Sequence, residues 1–246
     1  MRSELIMGIP VDNLSYDNII EDVSSYLDKQ SKMTIVSINP QIVTESKKYP
    51  DIVDFIWRST HRIPDGIGIV LVSRLTGGSI FDRVTGYDLM IRILAFANEN
   101  KKRIFLYGAK PCILEDTVKN IKHSYPDLIV AGAIDGYNKL KEEEIVSHIN
   151  ESNSDMLFVA LGFPRQEQWL ARNIRELNVS IFQDVGGSFD VISGHVKRAP
   201  NIFIKFHLEW LYRSLSNPKR IGRILQLPIF LCKSIVWSMR NHKRDR

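Results

Sequence analysis

The chain has 246 residues, 44% hydrophobic and 25% charged, a balance that excludes a disordered or fibrous protein and leaves room for a real core. Its two cysteines, Cys112 and Cys232, are far apart, which excludes a disulfide framework, and no Cys/His cluster has zinc spacing. The net charge of +5 is uneven: residues 196–246 hold twelve Lys/Arg against two acids, a net of +10, while residues 1–195 carry −5. A basic end on a mildly acidic body points to a polyanionic partner, whether nucleic acid, an anionic membrane or a phosphorylated substrate.

The start, "MRSELIMGIPVDNLS", has no long apolar run, so no secretory signal is expected. "MTIVSIN" (33–39) reads as a buried strand, with a helix starting near Pro40. In "RIPDGIGIV" (62–70) a carboxylate, Asp65, sits between a proline and a glycine at the end of an apolar segment. Pro-Asp-Gly is a turn signal. Two readings stand: Asp65 caps the helix that "GIGIVLVSRL" starts, or it is a functional carboxylate at the end of a buried element. "RIFLYGAKP" (103–111), "DLIVAGAIDGY" (127–137), "DMLFVALGFP" (155–164) and "VSIFQDVGGSFD" (179–190) each read as a strand running into a turn. Polar-faced helices follow the first three of them.

This alternation predicts an α/β fold: a largely parallel, Rossmann-like sheet with helices on both faces over residues 1–195. In such sheets ligands bind at the carboxyl ends of the strands. The turns there carry Gly108, Gly136, Gly162, Gly186 and Gly187, which either let a ligand approach the backbone or only make tight turns. Several familiar chemistries lack their motif. There is no G-x-G-x-x-G after a strand, no P-loop, no G-x-S-x-G and no D-x-D.

Residues 196–246 read as a basic helical appendage. The apolar run 224–239 is broken by Pro228 and Lys233, too short and too interrupted for a membrane span. On a helix, Arg223, Gln226, Lys233 and Arg240 form one polar stripe, with Leu227, Phe230, Leu231, Ile235 and Trp237 largely elsewhere. That pattern suits a membrane interface, and equally a helix packed on its own domain with a solvated basic face. Nucleic acid is the least favoured partner, because the aromatics look like membrane anchors rather than a stacking platform.

Seven segments in order, "INPQIV", "IPDGIGIV", "RVTGYDLM", "IFLYGAKP", "LFVALGFPRQEQW", "DVGGSFDVISGHVKRAP" and "LEWLYRSLSNPKR", resemble the WecG/TagA/CpsF glycosyltransferases (glycosyltransferase family 26), most of all their TagA branch. The resemblance spans almost the whole chain. It implies inverting transfer of N-acetylmannosamine from UDP-N-acetylmannosamine to undecaprenyl-diphosphate-linked N-acetylglucosamine, an early step of wall teichoic acid synthesis. The enzyme would be peripheral on the inner face of the cell membrane. Neither a cofactor nor a metal is expected, and no nucleic-acid partner; a homo-oligomer is left open. The alternatives are another UDP-sugar, such as N-acetylmannosaminuronic acid or glucose, and a non-catalytic nucleotide- or membrane-binding module.

By the same resemblance Asp65 is the general base. Ser37 and Asn39 are expected to hydrogen-bond substrate; for Asn39 the competing reading is a helix cap before Pro40. Arg83 is expected on a phosphate or the acceptor, with an ion pair at the surface as the other reading. Gln166 and Glu167, after Pro164 at a helix start, suit a sugar or diphosphate. Asp190 is expected to hold ribose or uracil. Gly108, Asp135, Tyr137, Gly162, Pro164, Gly186 and Gly187 complete the expected substrate site. Arg213, Arg220 and Arg223 are expected on a diphosphate or at the membrane, with the tail folding over the cleft.

Overall fold

In the computed structural model, which describes residues 3–206, 208–215 and 226–242, the apolar runs become strands and the stretches between them become helices. The chain opens with an antiparallel hairpin, β1 (Ser3–Ile6) and β2 (Ile9–Asp12). Its two-residue turn holds Met7 and Gly8 at φ 51° and 86°, the paired positive values that match strand twist in a tight hairpin. Then come α1 (Tyr16–Asp28), β3 (Met33–Ile38), α2 (Pro40–Glu45), α3 (Pro50–Arg58), β4 (His61–Pro64), α4 (Ile67–Leu75) and α5 (Gly86–Glu99). The next stretch alternates: β5 (Arg103–Gly108), α6 (Pro111–Ser124), β6 (Ile129–Ile134), α7 (Glu142–Glu151), β7 (Met156–Ala160), α8 (Arg165–Asn173), β8 (Ile181–Asp184) and α9 (Ser188–Ile192). The tail holds α10 (Asn201–Lys205), α11 (Glu209–Leu215) and α12 (Gln226–His242).

The second sheet has the order β4-β3-β8-β7-β5-β6, and every pairing in it is parallel. Alternate strand residues feed two cores, as the two-residue period of a strand requires. Val36, Ile38, Tyr107, Val159 and Phe182 face one side, covered by α2, α3, α4, α7, α8 and Phe230 of α12. Ile35, Leu106, Phe158 and Ile181 face the other, covered by α1, α5, α6 and α9. The α/β expectation with helices on both faces therefore holds. Chain order and sheet order part company between β3 and β8. From β3 the chain runs outward to β4 at one edge, and the other four strands fill the opposite side. A crevice at such a switch, beyond the carboxyl ends of the strands, is where open α/β sheets bind ligands.

The described part of the tail packs on the body. Helix α12 lies on α4 and α2, burying Phe230 and Ser234. Gly68 makes the close approach possible. A Cβ there would stand 2.7 Å from Leu227 Cδ1 and 2.8 Å from Pro40 Cγ. The outer face of α12 shows Lys233 and Arg240 beside exposed Ile229, Val236 and Met239. Both readings of this segment thus have a face: one side is packed on its own domain, the other is basic and apolar. Among the described residues, no helix is long and apolar enough to cross a membrane.

Candidate active site

A cavity of about 550 Å³ opens at the carboxyl ends of β4, β3, β8 and β7. Its best-placed acid is Asp65. Strand β4 ends at Pro64, and the Asp65 amide still donates to Ile38 O (2.8 Å). The chain then turns through Gly66 at φ 99°, a left-handed value that favours glycine, and α4 begins. Gly66 occupies the cap position, so Asp65 stands one residue outside the helix. The capping reading of Asp65 is corrected by this placement, and its carboxylate belongs to the cavity wall. Gly86, the first residue of α5, gives the wall its shape. A Cβ at Gly86 would stand 2.9 Å from Ser37 Oγ and 3.8 Å from Asp65 Oδ2.

Ser37 and Asn39 also line the cavity. Ser37 N donates to Asp184 Oδ1 at 2.9 Å, tying the end of β3 to the end of β8. Asn39 is the cap of α2: its Oδ1 accepts from Ile42 N at 3.0 Å, with Pro40 at the first helical position. The cap reading of Asn39 is therefore correct, and one of its side-chain acceptor positions is already engaged.

On the facing wall, Gln166 and Glu167 begin α8 with side chains turned inward, both buried. Gly162 N donates to Gln166 Oε1 (3.1 Å), and Gln166 Nε2 donates to Glu167 Oε1 (2.9 Å). Burial pushes the Glu167 carboxyl up to about 7. Asp184 is also raised, first by burial and then by the charge of Glu167; hydrogen bonds from Ser37 pull the other way. Gly186 and Gly187 line the cavity after β8, Gly186 at φ 47°. Arg83 lines it opposite Glu209, at 3.5 Å, with side chains only 9% and 13% exposed. The pair is nearly buried and joins the body to α11, which corrects the reading of Arg83 as a surface ion pair.

The structure does not bring every expected residue here. Gly108, Asp135 and Tyr137 sit at the ends of β5 and β6, the two strands farthest from β4 and β3. A Cβ at Gly108 would stand 2.3 Å from Ala160 O, so this glycine serves backbone packing. Asp135 Oδ1 accepts from Tyr137 N (2.8 Å) in a local turn, and Tyr137 points to solvent. Pro164 and Asp190 are also absent from the cavity wall, although their neighbours Phe163 and Gly187 are in it. Asp190 sits behind Gly187, its Oδ2 3.5 Å from where a Cβ would stand. Arg213 falls in α11, but its side chain lies outside the described residues, as do Arg220 and Arg223.

Sequence reasoning missed Asp184, Gly86, Tyr87, Glu209 and Trp210, all of which line the cavity. For Asp184 the signal was present: a carboxylate between an apolar strand and a Gly-Gly turn, the same setting as Asp65. Among the described residues no group of three or more His, Cys, Asp or Glu side chains is arranged to hold a metal ion.

The arrangement offers an acid at a strand end, a basic side chain in the same cavity wall and glycine turns that let a ligand approach the backbone. Comparison with known proteins agrees with the motifs. Residues 4–244 match the model of the glycosyl transferase WecG/TagA/CpsF family. An N-acetylglucosaminyldiphosphoundecaprenol N-acetyl-beta-D-mannosaminyltransferase of Bacillus subtilis (strain 168) is 42% identical over 233 residues, 93% of this chain and 89% of the relative. The protein of the same name from Bacillus spizizenii is 41% identical over 208 residues, 85% of this chain and 80% of its own. That from Staphylococcus aureus (strain MW2) is 33% identical over 230 residues, 93% and 90%. Motifs, fold and relatives lead to one conclusion: this chain belongs to the WecG/TagA/CpsF glycosyl transferase family.

Proposed function

We propose that this chain transfers N-acetylmannosamine from UDP-N-acetylmannosamine to the N-acetylglucosamine of undecaprenyl-diphosphate-N-acetylglucosamine, an early step of wall teichoic acid synthesis. The observation that carries the reading is the cavity at the sheet's switch point, with Asp65 in its wall and Ser37, Gln166 and Gly187 around it. The names of the relatives support the transferred sugar and the acceptor.

The reaction is an inverting displacement. The acceptor's 4-hydroxyl oxygen attacks the anomeric carbon, forming the new β-1,4 bond. The bond from that carbon to the diphosphate oxygen breaks, and its electron pair leaves with UDP. Asp65 takes the hydroxyl proton, assistance worth about 10²–10⁴-fold. Charge on the leaving diphosphate is met by Arg83, the basic side chain in the cavity wall among the described residues, and no divalent metal takes part; the lack of a D-x-D motif supports this. The acceptor lies in a membrane. The outer face of α12, with Lys233 and Arg240 beside Ile229, Val236 and Met239, suits the inner membrane surface, apolar groups entering the interface and cations meeting anionic headgroups.

The test is a panel of UDP-sugars given with a short-chain lipid-diphosphate-N-acetylglucosamine acceptor, in excess chelator, with products read by mass spectrometry. One added N-acetylhexosamine from UDP-N-acetylmannosamine alone is the expected result. No product from any donor sinks the transferase reading, and product that appears only when magnesium or manganese is restored sinks its metal-free form.

A further inference from the structure

Beneath the cavity two sets of hydrogen bonds end on two buried carboxyls. In one, Ser37 N donates to Asp184 Oδ1. In the other, Gly162 N donates to Gln166 Oε1, and Gln166 Nε2 donates to Glu167 Oε1. The remaining oxygens of these two carboxyls, Asp184 Oδ2 and Glu167 Oε2, are sealed from water and have no hydrogen-bond partner among the described residues. Both residues are essentially fully buried, at 1% and 0% exposure. They lie on neighbouring elements: Asp184 closes β8, and Glu167 sits in the first turn of α8, which follows β7, the strand paired with β8. A buried carboxylate oxygen with no donor is costly, and two buried carboxylates close enough to feel each other's charge cannot both ionise cheaply. A single proton placed between them satisfies both.

We propose that Asp184 and Glu167 share a proton, and that this proton closes a continuous hydrogen-bond row from Ser37 to Gly162 that positions Ser37 and Gln166 in the cavity wall. The pair are positioning residues: they act through the side chains at the two ends. Burial raises both carboxyls, and the charge of Glu167 raises Asp184 as well, in the direction the proposal needs. The charged groups facing the pair are Asp65, whose charge raises Asp184 further, and, across the cavity, the Arg83–Glu209 pair. When the shared proton leaves, two like charges face each other under a site meant for a diphosphate, and the row opens. Activity should then fall as pH rises through about 7. The proposal rests on the glycosyltransferase reading of the cavity only for its kinetic readout.

The deciding variant is Glu167→Gln. Its amide oxygen still accepts from Gln166, and its NH₂ donates to Asp184 without any proton to lose. We expect Glu167→Ala to cut kcat/KM at least about thirtyfold at pH ~6, and Glu167→Gln to recover at least about tenfold of that. The wild type should lose roughly tenfold per pH unit well above about pH 7, and Glu167→Gln should not. Infrared difference spectra of the free protein give a second readout that needs no substrate. The wild type should show a carboxylic acid C=O band that titrates away near neutral pH, and Glu167→Gln should lack it. A folded Glu167→Gln as poor as Glu167→Ala at every pH overturns the proposal, as does the absence of the acid band in the wild type. If the band titrates as expected in a protein that transfers no sugar, the proton-sharing pair stands and the proposed function fails.

Discussion

Arg83 reaches Glu209 at 3.5 Å across the cavity wall, and both side chains are nearly out of water. One residue precedes α5 in the body and the other opens α11 in the tail, so the pair ties the basic segment to the site. Removing one partner leaves the other charge in a poorly hydrated place, which costs far more than the pair itself contributes. We expect Glu209→Ala to lower unfolding stability by about 3 kcal/mol. The double variant Arg83→Met/Glu209→Met should recover most of that loss while activity stays low, because Arg83 lines the cavity. Urea melts of the two variants decide it. An unaltered midpoint in Glu209→Ala would show that the contact carries no strain on removal.

Docking of α12 depends on Gly68. Gly68 is the second residue of α4, so alanine there gains at most the roughly 1 kcal/mol by which it betters glycine in a helix interior. Here the new methyl meets Leu227 Cδ1 at 2.7 Å and Pro40 Cγ at 2.8 Å. The leucine tip can swing aside; the proline ring, fixed at the start of α2, cannot. Overpacking of this kind costs about 1–3 kcal/mol, which outweighs the helix gain. Gly68→Ala should therefore melt lower than the wild type. Gly68→Leu should lift α12 from its seat, uncovering Phe230 and admitting protease within 226–242. Protease resistance equal to the wild type in Gly68→Leu would contradict this packing.

The raised carboxyl of Glu167 also sets how stability varies with pH. In the unfolded chain this group loses its proton near 4.5, and in the folded protein near 7. Between those values the folded state holds a proton that the unfolded state has lost, so raising pH favours unfolding. The loss begins above about 4.5, levels off above about 7 and amounts to about 3 kcal/mol for this one group. Glutamine has nothing to titrate. Measured against the wild type, Glu167→Gln should gain stability steadily from pH ~5 to pH ~7 and level off above that. A difference that stays flat over that range would mean that Glu167 is ionised throughout.

Much of this architecture is legible in the sequence because β3, β5, β6, β7 and β8 are apolar runs closed by turns. Strand β4 is not, since "HRIP" puts a histidine and an arginine into a four-residue strand. Those two are accommodated by partners far away in sequence: His61 by Asp22, and Arg62 by the buried carboxylate of Asp12. The hairpin at the start was missed because its turn is Met-Gly rather than Asn-Gly. Within the site, Asp65, Ser37 and Gly186 were readable as polar or glycine positions at or just past strand ends, and Gln166 as a polar position at a helix start. Gly108, Asp135 and Tyr137 obey the same rule yet lie elsewhere. Chain order does not reveal sheet order, and β5 and β6 are placed on the far side of β7. Asp184 was overlooked for a related reason: its partner, Ser37, is 147 positions away.

The claim on which the rest depends is that Asp65 takes the proton of the acceptor hydroxyl. Asp65→Asn keeps the shape of the turn, the Asp65-to-Ile38 backbone bond and the Gly66 cap, and removes the base. The measurement is turnover with UDP-N-acetylmannosamine and a short-chain lipid-diphosphate acceptor, set beside calorimetric binding of the UDP-sugar to the same protein. Binding within a few-fold of wild type, with turnover down at least about a hundredfold, is the expected result. Turnover within a few-fold of wild type would remove Asp65 from the chemistry and leave the cavity without its base.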